Sequence, residues 1–80
     1  MKDEVNTMLT ELQSKSAKPK EKSYMLRDDH GLYLRVDPSG RKYWILRYWE
    51  QKKEHQLSLG AYPELSLKDA RIKRDKIQTA

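Results

Sequence analysis

Residues 31–49 read GLYLRVDPSGRKYWILRYW: an alternating segment, a turn, and a longer segment with large side chains at most positions. In the first segment Leu32, Leu34 and Val36 share one side, which is the period of two of a half-buried β-strand. Residues 37–40, DPSG, place Asp, Pro and Gly where a type I turn prefers them. The stretch therefore predicts an antiparallel hairpin.

The second strand of this hairpin carries large side chains on both faces. Cross-strand matching to the apolar face of its partner assigns Trp44, Leu46 and Tyr48 to the core. The opposite face then holds Arg41, Tyr43, Ile45, Arg47 and Trp49. Two large apolar residues on an outward face indicate that something covers it, and three covers fit the sequence: an N-terminal segment with Met8, Leu9 and Leu12, another domain, or a dimer mate.

The chain on either side of the hairpin extends the sheet and adds a helix. Tyr24–Arg27 predicts a strand before Gly31, and Glu54–Leu59 predicts a fourth strand after a turn at residues 50–53. Ser66, with Asp69 three residues later, predicts the start of a helix. We predict an α+β fold, a three- to four-stranded antiparallel sheet packed on one face by a single C-terminal α-helix.

Two apolar faces should meet in this fold. The helix presents Leu67, Ala70, Arg74 and Ile77, with the stem of Arg74 along the sheet edge. Leu57 and Leu59 should join the core from the fourth strand. Tyr62-Pro63 should fix the entry to the helix, with the tyrosine ring packed over it.

The N-terminal part differs in composition from the rest. Residues 1–12 predict a short helix, with Val5, Met8, Leu9 and Leu12 at helical spacing. Residues 14–23, SKSAKPKEKS, have the composition of an extended or mobile arm, in which Lys18, Lys20 and Lys22 either follow a nucleic-acid backbone or form a plain linker. We divide the chain into an N-terminal arm or mobile segment, residues 1–23, and a folded domain, residues 24–80.

The composition excludes several classes of protein. There is no cysteine, so disulfides and thiolate metal sites are excluded, and His30 and His55 alone do not make a zinc site. We predict no metal and no cofactor, no export or membrane segment, and a cytoplasmic location. Lys2 against Asp3, Glu4 and Glu11 leaves the first twelve residues at −2, and therefore the rest of this +5 chain at +7. That basic remainder favours a polyanionic partner.

The outward face of the predicted sheet has the chemistry to bind nucleic acid. Arginine forks bridge phosphates or read guanine edges, glutamine pairs with adenine, and tyrosine hydroxyls reach phosphate oxygens. The residues predicted to contact DNA from this face are Tyr33, Arg35, Tyr43, Arg47 and Gln56. Those assigned to phosphate, at the ends of the third strand and in its turn, are Arg41, Lys42, Lys52 and Lys53. For each, an ordinary solvated surface residue is the alternative.

Seven short motifs in order carry a resemblance to a known family. They are Lys18-Pro19, Gly31 to Leu34, Pro38 to Gly40, Lys42 with Trp44, Arg47-Tyr48, Leu59-Gly60 with Tyr62-Pro63, and Ser66-Leu67 with Ala70-Arg71. In this pattern the chain closely resembles the N-terminal arm-type DNA-binding domain of phage, prophage and genomic-island integrases of the tyrosine recombinase class. It departs from the family at its acidic start and at residues 50–54, where a glycine is expected.

The resemblance implies a function. Such a domain binds short repeated arm sites of attachment DNA through its sheet in the major groove, and leaves strand cleavage to a C-terminal catalytic domain of the same chain. The partners implied are double-stranded DNA, other integrase protomers and DNA-bending accessory proteins, in the bacterial nucleoid. Residues 1–80 would then have no catalytic site of their own. The alternatives from residue chemistry are an RNA-binding or a protein-interaction module that uses the aromatic face.

Overall fold

The computed structural model describes residues 8–79, which form one four-stranded antiparallel sheet and two helices. In chain order the elements are α1 (Glu11–Ser16), β1 (Tyr24–Arg27), β2 (Leu32–Val36), β3 (Lys42–Glu50), β4 (Lys53–Tyr62) and α2 (Leu67–Thr79). The strands pair in the order β1-β2-β3-β4, so each lies beside its neighbours in sequence. The predicted α+β fold, with an antiparallel meander and a C-terminal helix, is confirmed.

The strand register separates the sheet into two sides. Leu34 pairs with Leu26 on β1 and with Trp44 on β3, and Leu46 pairs with Leu57 on β4. These residues define the helix side, which packs against α2. We call the opposite side the free face; its residues are Met25, Arg27, Tyr33, Arg35, Tyr43, Ile45, Arg47, Trp49, Glu54, Gln56 and Ser58.

The core lies between the helix side of the sheet, α2 and Leu9. Its buried members are Leu9, Leu32, Leu34, Val36, Trp44, Leu46, Leu59, Leu67 and Ala70. Trp44 is its largest side chain, and the indole Nε1–H donates to the carbonyl oxygen of Leu65 at 2.6 Å. The Tyr62 ring packs edge-on against Trp44, with centroids 6.1 Å apart, and precedes a cis peptide bond to Pro63. Its hydroxyl donates to the carboxylate of Glu11 at 2.8 Å, so the ring links the core to α1, whereas the sequence predicted it over the entry to α2.

The N-terminal helix differs from the sequence prediction. It begins at Glu11, because Thr10 and Gln13 form a reciprocal capping box, with hydrogen bonds of 3.0 Å in both directions. Ser14–Ser16 are helical and Ser14 is buried, so the prediction of an extended or mobile arm is wrong for these three residues. The predicted helix over residues 1–12 falls mostly outside the described residues. Within them, Met8–Thr10 are not helical.

A buried carboxylate ties three segments together. Asp28, fully buried between β1 and β2, accepts the backbone N–H of Leu9 at 2.9 Å. Arg71 of α2 reaches the same carboxylate with Nε and Nη2, at 3.0 and 2.9 Å, and donates from Nη2 to the carbonyl oxygen of Leu9 at 2.8 Å. Two parallel bonds of this kind are the strongest pairing a carboxylate makes with arginine. The segment before α1 and helix α2 are thereby fixed to the same turn of the sheet.

Arg74 completes this ionic cluster. Its side chain is buried, with Nη1 3.5 Å from the Asp28 carboxylate and 3.1 Å from the carbonyl oxygen of Asp29. Arg74 therefore belongs to the buried side of α2, as the sequence predicts, and its guanidinium group ends beside the edge strand β1. Burial alone would raise the pKa of Asp28, but the hydrogen bonds from Arg71 and from the backbone N–H of Leu9 outweigh it and lower the pKa below its usual value.

Helix α2 crosses the sheet obliquely. Lys73 donates to the carbonyl oxygen of Leu59 on β4 at 3.2 Å, whereas Gln78 donates to the carbonyl oxygen of His30 beyond β1 at 2.7 Å. The helix thus moves away from β4 as it proceeds. Leu57 remains 39% exposed and Ile77 is also exposed, so the prediction that both are core residues is wrong.

Two of the hairpin turns depend on glycine. Gly31 has φ of +84°, and a Cβ at this position would collide with the carbonyl oxygen of Arg47. Gly40, with φ of +94°, donates its N–H to Asp37 at 2.9 Å, as in a type I turn that continues into a bulge. Both turns form at the positions that the sequence predicts.

The β3–β4 turn has a different shape and lacks glycine. Glu50 pairs directly with Lys53, so the loop contains only Gln51 and Lys52, with φ of +54° and +64°. Two left-handed residues in a two-residue hairpin loop are the signature of a type I′ turn, which favours Asn-Gly. A side chain with a Cβ in this region of φ costs about 1 kcal/mol or more, so the turn is a place where the sequence is not optimal.

We predict that replacing Gln51-Lys52 by Asn-Gly stabilises the domain. The free energy of unfolding should rise by about 1 kcal/mol, because the turn conformation stays and its backbone strain is removed. Urea unfolding measures the change as a higher midpoint with the same slope. As a control, Lys68→Gly in the exposed first turn of α2 should lower the midpoint. A lower midpoint for the turn variant would contradict the assigned turn.

We also predict that Asp28→Asn destabilises the domain by about 3 kcal/mol, because Arg71 and Arg74 lose their shared buried charge. The Asp28 pKa is lower in the folded than in the unfolded chain, so its stabilisation is complete above about pH 4 and is lost as the pH falls through the folded-state pKa. The urea midpoint should therefore fall less between pH 7 and pH 2 for Asp28→Asn than for the parent protein.

The matched control is Asp75→Asn. Asp75 is exposed, and its pKa is also lowered, by the side-chain hydrogen bond from Arg74. Its replacement should change the midpoint little, because the Asp75 carboxylate is exposed and Arg74 keeps Asp28 and the carbonyl oxygen of Asp29 as partners. Equal drops in the urea midpoint for Asp28→Asn and Asp75→Asn would show that the buried carboxylate stabilises the domain no more than the exposed one.

Candidate nucleic-acid interface

The free face brings together five of the residues that the sequence predicts to contact DNA. Arg35 pairs with Tyr43 across β2 and β3, and Arg47 pairs with Gln56 across β3 and β4. Tyr33 lies beside Arg47, whose guanidinium carbon is 5.3 Å from the centre of the tyrosine ring. Within the described residues, α1 and α2 both lie on the helix side, so these side chains face outward.

Both central arginines have carboxylate partners on this face. Arg35 donates from Nε to Asp37 at 2.9 Å, which leaves its two terminal nitrogens for other acceptors. Arg47 binds Glu54 through Nε and Nη2, and the two side chains are each about one-third exposed. Exposed pairs of this kind contribute at most about 1 kcal/mol, so they orient the guanidinium groups without preventing exchange for a ligand.

Ile45 and Trp49 have different surroundings, although both lie on the free face. Ile45 is only 9% exposed, because it sits at the middle of the central strand between its cross-strand neighbours Tyr33 and Ser58. Trp49 is 73% exposed. Leu9, predicted as one possible cover, belongs instead to the core on the helix side. Neighbouring side chains therefore account for Ile45, and in the described part of the chain nothing buries Trp49.

Of the four residues predicted to contact phosphate, three lie exposed at the two ends of the hairpin β3–β4, and the fourth, Lys42, has a different position. Arg41, exposed, precedes β3 at one end of the sheet, and Lys52 and Lys53, also exposed, form the tip of the β3–β4 hairpin at the other. Lys53 pairs with Glu50, so its side chain leaves the hairpin tip on the helix side. Lys42 is on the helix side, opposite Tyr62. Its ammonium group donates to the carbonyl oxygens of Ser14 and Lys15 at 2.8 and 2.9 Å. The structure thus places Lys42 at the C-terminal end of α1, away from the free face.

Two charged free-face residues were missing from the sequence prediction. Arg27 on β1 is exposed and pairs with Tyr33, and Glu54 on β4 pairs with Trp49. The signal that identifies Arg27 is the alternation within Tyr24–Arg27, because its side chain and that of Leu26 must point to opposite sides of the sheet. With Arg27, each of the strands β1, β2 and β3 contributes one arginine to the face.

Near the β3–β4 hairpin the free face contains a shallow hollow of about 340 Å³. Its lining combines cationic, aromatic and acidic groups: Arg27, Gly31, Tyr33, Arg47, Trp49 and Glu54. Arginine donors beside aromatic rings match the acceptor edges and apolar faces of nucleotides.

The lysines before β1 are partly anchored. Lys20 lies over the Tyr24 ring, with Nζ 4.6 Å from its centre, and the Tyr24 hydroxyl donates to the carbonyl oxygen of Lys18 at 2.5 Å. These contacts hold the stretch between α1 and β1 beside the sheet. In the part of the chain that the structure describes, no group of three or more metal-ligating residues converges, and no helix is long and apolar enough to cross a membrane.

A sequence model described as the arm DNA-binding domain matches residues 9–80. The chain belongs to this family. The family resemblance inferred from the seven motifs is thereby confirmed, and DNA is the partner of the family to which the chain belongs. The match begins at Leu9, the first core residue, and so includes α1 as well as the sheet and α2.

Integrases are among the relatives of this arm DNA-binding domain. The integrase of Shigella phage Sf6 and the prophage integrase IntS of Escherichia coli (strain K12) are each 52% identical to it over 73 residues, which is 91% of the chain. The integrase of Enterobacteria phage P4 is 46% identical over 66 residues, or 80% of the chain. The aligned region is 18% of each of the first two relatives and 15% of the third.

We predict that the neighbours Arg41 and Lys42 respond oppositely to loss of charge. Arg41→Met should lower the salt dependence of duplex binding by about one ion and leave stability unchanged, because Arg41 is exposed. Lys42→Met should lower the urea midpoint and leave the salt slope nearly unchanged, because its ammonium group caps α1. Binding isotherms at four salt concentrations measure the slopes. A drop of one in the slope for Lys42→Met alone would contradict this assignment.

Proposed function

We propose that this domain binds duplex DNA sequence-specifically through its free face, at arm-type repeats of attachment sites, as the N-terminal domain of a tyrosine-type integrase. In that role it serves integration and excision of a prophage or genomic island. The observation that supports the proposal most is the free face of an arm DNA-binding domain, where strands β1, β2 and β3 each present an arginine outward.

The dimensions of the sheet suit the major groove. Neighbouring strands lie about 4.8 Å apart, so three strands span about 10 Å between their outer axes, and the groove is about 12 Å wide. We place β2, β3 and β4 in the groove, with Arg35, Tyr43, Arg47 and Gln56 toward base edges. The fourth strand would exceed the groove, so Arg27 on β1 meets the phosphate backbone, as do Lys52 and Lys53 at the hairpin tip.

Catalysis belongs, in this proposal, to a separate part of the full-length protein. The chain spans less than a fifth of the integrases it matches, and recombination needs a nucleophile within a constellation of basic residues. Here the hydroxyls of Tyr24 and Tyr62 bind a backbone carbonyl and a carboxylate, which are structural contacts. The domain would deliver the catalytic part to its site, together with other integrase protomers and DNA-bending proteins.

Selection of bound duplexes from a random pool at two salt concentrations tests this function. A recurrent motif should emerge at both concentrations, and the selected duplex should bind more tightly than a scrambled duplex or single-stranded RNA of the same length. Equal binding to all duplexes, or preference for the RNA, would overturn the proposal.

Within the selected complex, Arg47→Ala and Lys53→Ala should separate base reading from phosphate contact. Arg47→Ala should weaken the selected duplex by about 1 to 3 kcal/mol and flatten the preference at one position. Lys53→Ala should weaken all duplexes alike and lower the salt slope by about one. If both variants bind the selected duplex like the parent, the free face is not the docking surface.

The position of docking has an internal reporter. Trp44 is fully buried and Trp49 is 73% exposed, so iodide quenches essentially Trp49 alone in the free protein. The selected duplex should protect Trp49 if it lies on the free face. Unchanged quenching at saturation would place the duplex elsewhere, and the Trp49→Phe variant supplies the baseline of Trp44.

A further inference from the structure

Glu54 is an acidic residue on a surface that should meet a polyanion. It lies on β4 opposite Trp49, on the same face as Arg47, and lines the hollow near the hairpin tip. A carboxylate close to phosphate is repelled by it, so its presence at this position would weaken binding unless it has another role.

The contacts of Glu54 define what that role can be. Its Oε2 accepts from both Nε and Nη2 of Arg47, while the guanidinium group lies over the Tyr33 ring. Arg47 is therefore held from two directions, by a carboxylate at its edge and by an aromatic ring at its flat face. An arginine side chain without such contacts samples many rotamers, and a ligand would have to restrict it to one.

A guanidinium fixed in this way favours one kind of ligand over another. Base edges require donors at a defined position, whereas a phosphate accepts from arginines in many positions. A phosphate near Arg47 also lies near Glu54, and the carboxylate repels it. This repulsion weakens docking that uses only the phosphates of the DNA backbone more than docking that uses base edges.

We propose that Glu54 is the positioning residue of this interface: it orients Arg47 toward a base edge and repels phosphate from the same hollow, so that it sets sequence preference. This inference rests on the proposed function. It assigns the preference of the domain to the pair Arg47 and Glu54, supported by Tyr33, rather than to the number of basic residues on the face.

Glu54→Gln tests the proposal against Glu50→Gln. Both substitutions remove one negative charge from the β3–β4 hairpin, but Glu50 pairs with Lys53 and alternates to the helix side, away from Arg47. The probes are the duplex selected by the parent protein and a scrambled duplex of equal length. Glu54→Gln should tighten binding to the scrambled duplex more than to the selected one, so that the ratio of the two affinities falls about tenfold. Glu50→Gln should change both affinities alike.

A double-mutant cycle shows whether the effect depends on Arg47. In the Arg47→Ala background, Glu54→Gln should change the affinity ratio much less, because no guanidinium remains to be oriented or to attract a phosphate into the hollow. An equal fall in the ratio in both backgrounds, or equal ratios for Glu54→Gln and Glu50→Gln, would overturn the positioning role. If the parent protein itself distinguishes no duplexes, the proposed function fails and this inference fails with it. A parent that distinguishes them, with an unaffected Glu54→Gln, refutes the positioning role alone.

Discussion

The pairing of Asp28 with Arg71 is the contact on which the arrangement of this small domain depends. It joins residues 43 positions apart and includes the backbone N–H and C=O of Leu9 in the same set of bonds. One consequence is geometric. Because Leu9 and helix α2 are both fixed to the β1–β2 turn on one side, the described residues before β1 and after β4 stay on that side. By holding Leu9 and α2 on the helix side, the Asp28 carboxylate leaves the free face exposed, in addition to stabilising the core.

A sheet with one covered side explains the unusual third strand. Its helix side supplies Trp44 and Leu46 to a thin core, while on its other side, where the described residues add no second layer, neighbouring side chains cover part of the strand. Ile45 is buried in that way by its neighbours Tyr33 and Ser58. Aromatic and aliphatic residues on both faces are thus compatible with a core on one side of the sheet, because neighbours within the free face bury Ile45 while Trp49 stays exposed.

Local patterns made the strands and turns predictable. Alternation in Leu32–Val36 and the glycine positions Gly31 and Gly40 depend only on neighbouring residues, so the faces and turns of β1 to β3 follow from them. The fourth strand, predicted to end at Leu59, instead continues to Tyr62, because its last residues pair with the start of β3. The sequence also contains the residues of the capping box, Thr10 and Gln13, but the composition of the following residues favoured an extended arm over a helix. Lys42 is two residues before Trp44, so the alternation along β3 already placed it on the helix side. Its assignment to phosphate rested on its charge alone.

Contacts between distant segments were not predictable in this way. The position of Asp28 beside Arg71 and Arg74 depends on the path of α2 across the sheet, for which no local periodicity exists. The same path decides that Leu57 and Ile77 stay exposed although their patterns are apolar. On the free face, the partners of Arg35 and Arg47 depend on side-chain conformations, so alternation identified the arginines and not the carboxylates that orient them.

The order of strands in the sheet has a consequence for how the chain folds. Each strand pairs with the next one along the sequence, through turns of a few residues. Closing such short loops has a small entropic penalty, and chains dominated by local pairing fold faster than those that wait for distant segments. The three hairpins can form in succession, whereas the contacts of Arg71 with Asp28 and Leu9 join residues 43 and 62 positions apart. We therefore expect the sheet to form early and the ionic closure to complete the native state.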